Sequence, residues 1–219
     1  MNTNKFNHSG VKIINGEKKY GFLDIHDQWL INPVFDYLDD EFDEEGYLRA
    51  KHDNKWGYIN YKGDWIIRPV FDQLSDAPFD EENYLGVKYQ EKWGFIDRKG
   101  SWIIQPKFEQ IADCFDHLDY CAVKFDAKWG FINRDDEWII SPDYDSVIAG
   151  EFLDVYDREN MVAVQYQGKW GWIDRQGHWL IDPVFDEVRG WFDDSERCLA
   201  KLHGKSGSIN RKGEWKKFD

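Results

Sequence analysis

Apolar and polar positions alternate along most of this chain in short runs. Trp56-Gly57-Tyr58-Ile59 and Trp65-Ile66-Ile67 are rich in β-branched and aromatic residues, the types that fit a pleated, half-buried surface. Short polar turns join such runs, as in Asn60-Tyr61-Lys62-Gly63 and Asp97-Arg98-Lys99-Gly100. A glycine near the end of the turn supplies a positive φ, the usual hairpin device. A third run precedes each pair: Tyr47-Leu48-Arg49-Ala50-Lys51, Tyr84-Leu85-Gly86-Val87-Lys88, Cys121-Ala122-Val123-Lys124 and Met161-Val162-Ala163-Val164. The pattern predicts an all-β chain built from three-stranded antiparallel meanders. A proline near the end of the third strand cannot donate a ladder bond and marks a strand end or an edge.

The meander is a repeat. Lys55-Trp56-Gly57-Tyr58-Ile59-Asn60 returns as Lys92-Trp93-Gly94-Phe95-Ile96-Asp97, as Lys128-Trp129-Gly130-Phe131-Ile132-Asn133 and as Lys169-Trp170-Gly171-Trp172-Ile173-Asp174. Diverged copies begin at Lys19-Tyr20-Gly21 and Lys205-Ser206-Gly207. Nine residues after the first aromatic, or after Ser206, stands a second Trp: Trp29, Trp65, Trp102, Trp138, Trp179 and Trp215. Pro33, Pro69, Pro106, Pro142 and Pro183 follow, then Phe35, Phe71, Phe108, Tyr144 and Phe185. The copies start 36, 37, 36, 41 and 36 residues apart. The expected organisation is therefore one array over 1–219, with units near 11–36, 47–72, 84–109, 121–145, 161–186 and 198–219.

The glycine after each first Trp is expected to lie under a large neighbour, an indole of the same or an adjacent unit. The tryptophans themselves read as core, each covering roughly 150–250 Å². Three strands leave the chain at the wrong end to begin the next meander, so a return segment of about a dozen residues crosses back. A fourth strand there would make a propeller-like blade, and a covering loop an open stack. The last copy carries Ser206, Ser208, Lys216 and Lys217 at positions apolar elsewhere, as the solvent-facing end of an open array requires. An open twisted stack is thus expected over a closed propeller.

The recurring pattern Lys-Trp-Gly-aromatic-Ile-Asp/Asn, then Gly, Trp, Pro and aromatic-Asp/Glu, resembles the WG-repeat family over nearly the whole chain. The resemblance implies a β-rich interaction module of a mostly bacterial family, some of whose members look like companions of secreted toxins. No catalytic residues come with the motif. Tyr20 and Ser206 in place of the first Trp, and Asp136 in place of the turn glycine, depart from it.

Composition narrows the classes. The chain has 219 residues, 42% of them hydrophobic and 17% aromatic, enough to offset chain entropy without disorder. A length of this order buries roughly 70% of the unfolded surface, so no disulfide or metal staple is needed. No apolar run approaches the about 18–20 residues of a membrane span. The net charge of −14 argues against nucleic acid, whose affinity comes from Lys and Arg on phosphates. The first residues lack the apolar run of a secretory signal. Taken as full length, the chain is expected to be cytoplasmic. Cys114, Cys121 and Cys198 lack metal-ligand or disulfide spacing and read as core residues. His26 and His178 read as surface turn residues. No phosphate loop, nucleophile elbow or calcium loop is present, so no catalytic residue, metal or cofactor is assigned.

The acidity is localised. The return segments 37–48, 73–85, 110–121, 146–161 and 187–198 hold 21 of the 42 acidic residues and three basic ones, a net charge of −18 against +4 for the rest. Stacked repeats would set them side by side as an acidic ridge with embedded aromatics Phe42, Phe79, Phe115, Phe152, Trp191 and Phe192. Its candidate contact residues are Asp40, Glu41, Glu44, Glu45, Asp80, Glu81, Glu82, Asp154, Asp157, Glu159, Trp191, Asp193 and Asp194. The ridge either keeps an aromatic-rich β array soluble and blunts its edges or docks a basic protein, with steering raising the on-rate. The expectation is a non-catalytic protein-binding repeat that holds a basic partner, in concrete form an immunity protein against a toxin such as a nuclease. The alternative is a scaffold that binds peptide or glycan in aromatic grooves.

Overall fold

The computed structural model of the chain describes residues 8–14, 16–112, 115–116, 119–148, 161–189, 192 and 196–218. Among them every regular element is a strand. The first sheet holds β1 (His8–Ile14), β2 (Glu17–Leu23) and β3 (Trp29–Phe35). The second holds β4 (Tyr37–Leu38), β5 (Leu48–His52), β6 (Lys55–Ile59) and β7 (Trp65–Phe71). The third holds β8 (Gln73–Leu74), β9 (Leu85–Tyr89), β10 (Lys92–Ile96) and β11 (Trp102–Phe108). The fourth holds β12 (Gln110–Ile111), β13 (Cys121–Phe125), β14 (Lys128–Ile132) and β15 (Trp138–Tyr144). The fifth holds β16 (Ser146–Val147), β17 (Val162–Tyr166), β18 (Lys169–Ile173) and β19 (Trp179–Phe185). The sixth holds β20 (Glu187–Arg189), β21 (Arg197–Leu202), β22 (Lys205–Asn210) and β23 (Trp215–Lys217). Each sheet runs in chain order, with two edges, and none closes on itself as a barrel among the described residues. The expected three-stranded meander gains a short fourth strand, paired to the sheet that follows it in sequence.

The chain gathers into two compact units, residues 1–106 and 107–219, the division falling within β11. In each unit the core lies between successive sheets. Strand periodicity of two sends alternate residues to opposite faces. In the first unit Phe22, Ile31 and Phe35 of the first sheet meet Leu48, Ala50 and Ile59 of the second. The other face of the second sheet, Tyr58, Ile67 and Phe71, meets Leu85, Val87 and Ile96. In the second unit Phe131, Ile140 and Tyr144 meet Val162, Val164 and Ile173, and then Trp172, Ile181 and Phe185 meet Cys198, Ala200 and Ile209. Full burial of each Val, Leu, Ile or Phe among them contributes roughly 1.5–3 kcal/mol. The second Trp of a repeat packs edge-on against the aromatic that ends the preceding sheet: Trp65 on Phe35 at 5.5 Å, Trp102 on Phe71 at 5.7 Å, Trp138 on Phe108 at 6.2 Å and Trp179 on Tyr144 at 6.0 Å.

The repeated glycine has a different neighbour from the indole expected. Trp56 pairs with Phe71 and Tyr58 with Ile67, so three residues of β7 bulge across Gly57. A Cβ on Gly57 would stand 2.4 Å from the Ile67 carbonyl oxygen, and one on Gly94 or Gly171 would stand 2.5 Å from that of Ile104 or Ile181. Backbone, rather than a side chain, excludes every other residue. Only in the last copy does an indole join in, Trp215 at 2.8 Å from the position of a Cβ on Gly207. Cys121 and Cys198 are buried, as expected, and their thiols donate to the carbonyls of Ala112 and Arg189; Cys114 lies outside the described residues. His26 and His178 are exposed in their turns.

Candidate interaction surface

Antiparallel order places the return loops β4–β5 and β8–β9, and the described residues between β12 and β13, at the same end of their sheets as the turns before the second Trp. The tight hairpin turns that precede the WG strands lie at the other end. The two ends use their carboxylates differently.

At the hairpin end, the acidic residue after the strand-ending aromatic clamps two sheets. Asp36 accepts from Lys19 Nζ at 2.5 Å and from the backbone N–H of Asn54 at 3.2 Å. Asp186 accepts from Lys169 Nζ at 2.5 Å and from Gly204 N–H at 2.7 Å. Asp145 does the same with Lys128 and Gly168, and Asp72 pairs with Lys55. In these four copies the Lys that opens the WG motif therefore has a fixed partner 17 residues on. For Asp72, Asp145 and Asp186 the bond from the lysine leads in holding the carboxyl below its ordinary range. For Asp36 burial opposes, and the bonds from Lys19 and Asn54 outweigh it.

At the loop end, the polar residue that closes each WG strand builds the turn. Asp97 Oδ1 accepts from the backbone N–H groups of Lys99 and Ser101, both at 2.8 Å, and Asn60, Asn133, Asp174 and Asn210 do likewise. Where glycine is missing from the turn, Asp27 and Asp136 take its positive φ of 58° and 65°. Asp136 also accepts from Lys107 Nζ at 2.6 Å. Within the acidic loops one aspartate plays the same part. Asp43 accepts from Tyr47 N–H at 2.8 Å, Asp80 from Tyr84 at 2.7 Å and Asp116 from Tyr120 at 2.9 Å.

An arginine of the neighbouring turn then reaches into these loops. Arg98 donates to Asp43 at 2.8 Å and to Asn83 at 2.6 Å, which ties the β4–β5 loop to the β8–β9 loop. Its guanidinium lies 3.3 Å from Glu45 and stacks 4.7 Å over Phe79. In the second unit Arg175 donates to Asp116 at 2.7 Å and stacks over Tyr120, while Arg134 pairs with Asp119 at 2.6 Å and stacks over Phe115. Arg211 stacks over Phe192. These arginines were not singled out from the sequence. The available signal was their recurrence in Asp/Asn-Arg, one step after the WG strand.

The surface left is narrower than the charge count implied. Of the predicted contact residues, Asp40, Glu41, Glu44, Glu45, Glu81 and Glu82 are exposed, and Arg98 brings their two loops together in the first unit. Asp80 is half-buried in its turn. Asp154, Asp157, Glu159, Trp191, Asp193 and Asp194 lie outside the described residues, as does Phe152. Phe79, Phe115 and Phe192 are buried. Phe42 packs on Phe22 and Tyr61, Phe79 on Tyr58, and Phe192 on Trp172. The described ridge aromatics are thus plugs that pin the loops, not an outward stripe. Among the described residues no group of three or more His, Cys, Asp and Glu is placed to hold a metal ion, and no helix is long and apolar enough to cross a membrane.

Tandem antiparallel meanders, four-stranded after the first and each marked by a backbone-covered glycine, define a β-repeat protein. The family model for the WG containing repeat matches residues 20–56, 56–93, 93–129, 129–170 and 170–205, and the chain belongs to that family. The comparison with curated proteins returns no match. Among solved structures, Hsv2p of Kluyveromyces lactis aligns over 95% of this chain and 72% of its own, at 10% identity and a TM-score of 0.46. The extracellular domain of BT4673 from B. thetaiotaomicron aligns over 98% of this chain and 36% of its own, at 13% identity and a TM-score of 0.44. A eukaryotic initiation factor aligns over 96% of this chain and 62% of its own, at 9% identity and a TM-score of 0.50. At these identities the likeness concerns the fold alone.

Proposed function

We propose that this chain is a non-catalytic, cytoplasmic protein-binding repeat whose acidic loops dock a basic protein. One observation carries the reading: six exposed carboxylates stand on two loops that a single arginine fastens together. Fixed loops present charge without an ordering cost on binding, and like charges held close repel unless a cation meets them. In its concrete form the partner is a toxin such as a nuclease and the chain its immunity protein. A nuclease cleft must attract phosphate and is therefore positive, and the family resemblance supports a toxin companion by analogy.

The test compares the wild type with a triple variant, Glu41→Lys, Glu44→Lys and Glu81→Lys, each immobilised and exposed to host lysate at low salt. The wild type should retain one basic protein and release it at moderate salt. The variant should bind it at least about tenfold more weakly. Equal retention by both would overturn the reading.

A further inference from the structure

The acidic chain carries one basic tile. Residues 196–218, three strands of the sixth sheet and their turns, hold seven basic side chains against Glu196 and Glu214, a net charge of +5 in a chain of −14. Lys205, Lys212, Lys216 and Lys217 are exposed.

The tile belongs to a stacking face. In the fifth sheet Ala163, Trp172 and Ile181 are 6%, 2% and 6% exposed because the sixth sheet covers them. The residues at the same place in the sixth sheet are Leu199, Ser208 and Lys216, which pairs with Ser208. Leu199 is 51% exposed and Phe218 47%. Between them a hollow of about 270 Å³ is lined by Glu187, Arg189, Leu199, Lys201, Ser206 and Phe218. Arg189 and Lys201 at its rim share Glu187, at 3.7 and 3.1 Å, and Lys216 is exposed beside them, so two apolar side chains under a net positive rim suit a polar, acidic partner, not another sheet of the same repeat.

The chain's own β4–β5 and β8–β9 loops carry exposed carboxylates. We infer that this face docks the acidic β4–β5 and β8–β9 loops of a second copy, head to tail. Charge complementarity carries the assignment: Glu41, Glu44 and Glu81 are exposed on those loops, and the lysines are exposed on the tile. The overall charge of −14 does not forbid it. The screening length is about 8 Å at physiological ionic strength, so copies sense the facing patches rather than the whole charge. A head-to-tail contact uses two different patches, and such contacts build closed rings or open chains. The inference is independent of the basic-partner reading, although that partner would compete for the same loops.

Sedimentation velocity on the full chain tests it. At about 0.15 M salt the wild type should shift from monomer towards dimer and beyond as concentration rises, and return to monomer at about 1 M. A tile variant, Lys205→Glu, Lys212→Glu and Lys216→Glu, should stay monomeric. So should the loop variant, Glu41→Lys, Glu44→Lys and Glu81→Lys. Mixed in equal amounts, the two should associate, because each then offers the charge the other lacks. All these positions are exposed, and circular dichroism should show both variants folded. A wild type that stays monomeric up to about 100 μM overturns the inference, as does association insensitive to either reversal. The tile variant keeps its acidic loops, so its retention of a basic protein would separate failure here from failure of the proposed function.

Discussion

Arg98 and Arg175 occupy the same place in their repeats, and the structure treats them differently. Each follows the aspartate that closes a WG strand, and each reaches back more than 50 residues to the aspartate that builds an acidic loop. Arg98 and Asp43 keep 19% and 33% of their side-chain surface in water, whereas Arg175 and Asp116 keep 7% each. Arg98 spreads its donors over Asp43, Asn83 and Glu45, so its loops are fastened by several half-exposed contacts. Arg175 makes a buried ion pair. The same motif thus gives an adjustable strap in the first unit and a locked pair in the second. Repetition fixes which residues meet, while burial fixes how much each meeting is worth.

The largest effect should come from removing one side of the locked pair. Arg175→Leu leaves Asp116 buried beside an apolar group, and urea unfolding should show a loss of about 3–5 kcal/mol. Arg98→Leu should cost only about 1 kcal/mol, because water replaces its bonds. Equal losses would break the contrast.

Glycines supply the control. A Cβ meets backbone at 2.4 Å on Gly57 in the first unit and at 2.5 Å on Gly171 in the second. Gly57→Ala and Gly171→Ala should therefore destabilise alike, by about 1–3 kcal/mol each, the usual cost of overpacking. A large difference between them would mean that the two units differ in backbone as well as in burial.

The smallest effect concerns acid. Asp72 and Asp145 sit below the ordinary carboxylate range, held by Lys55 and Lys128 and by backbone N–H groups. A folded-state value below the unfolded one gives stability that is complete above about 3.9 and lost as pH falls through the folded value. Stability should hold from neutral pH down to about 5 and decline below about 4. In Asp145→Asn the decline should be shallower, and the variant should be less stable at neutral pH. An unchanged acid profile in that variant would remove the clamp from the account.

Much of this was legible in the residues. Two tryptophans nine apart, a glycine after the first and a proline after the second specify strands and turns through local chemistry. Their recurrence specifies an array, since a lone meander cannot bury both faces. The acidic loops were legible as a charge count, and the need for a small residue after the first Trp as a packing demand. The identity of the glycine's neighbour was not. A bulge of three residues over one is a property of strand register, and Ile67 carries no mark of it. Nor did the charge count show that Asp43, Asp80 and Asp116 spend an oxygen on turn N–H groups, or that arginines from outside the loops neutralise part of the ridge.

The sequence by itself determined the strands, their turns, the repeat and the sign of each surface, because these follow from side-chain type and spacing along the chain. Only the tertiary structure decided that Arg98 straps two loops while Arg175 is locked away, that Phe79 and Phe192 turn inward, and that Leu199 and Phe218 stand exposed beside Lys216 on the sixth sheet. Those outcomes depend on distances between residues far apart in the chain and on how much water reaches them, and neither quantity is written in local pattern.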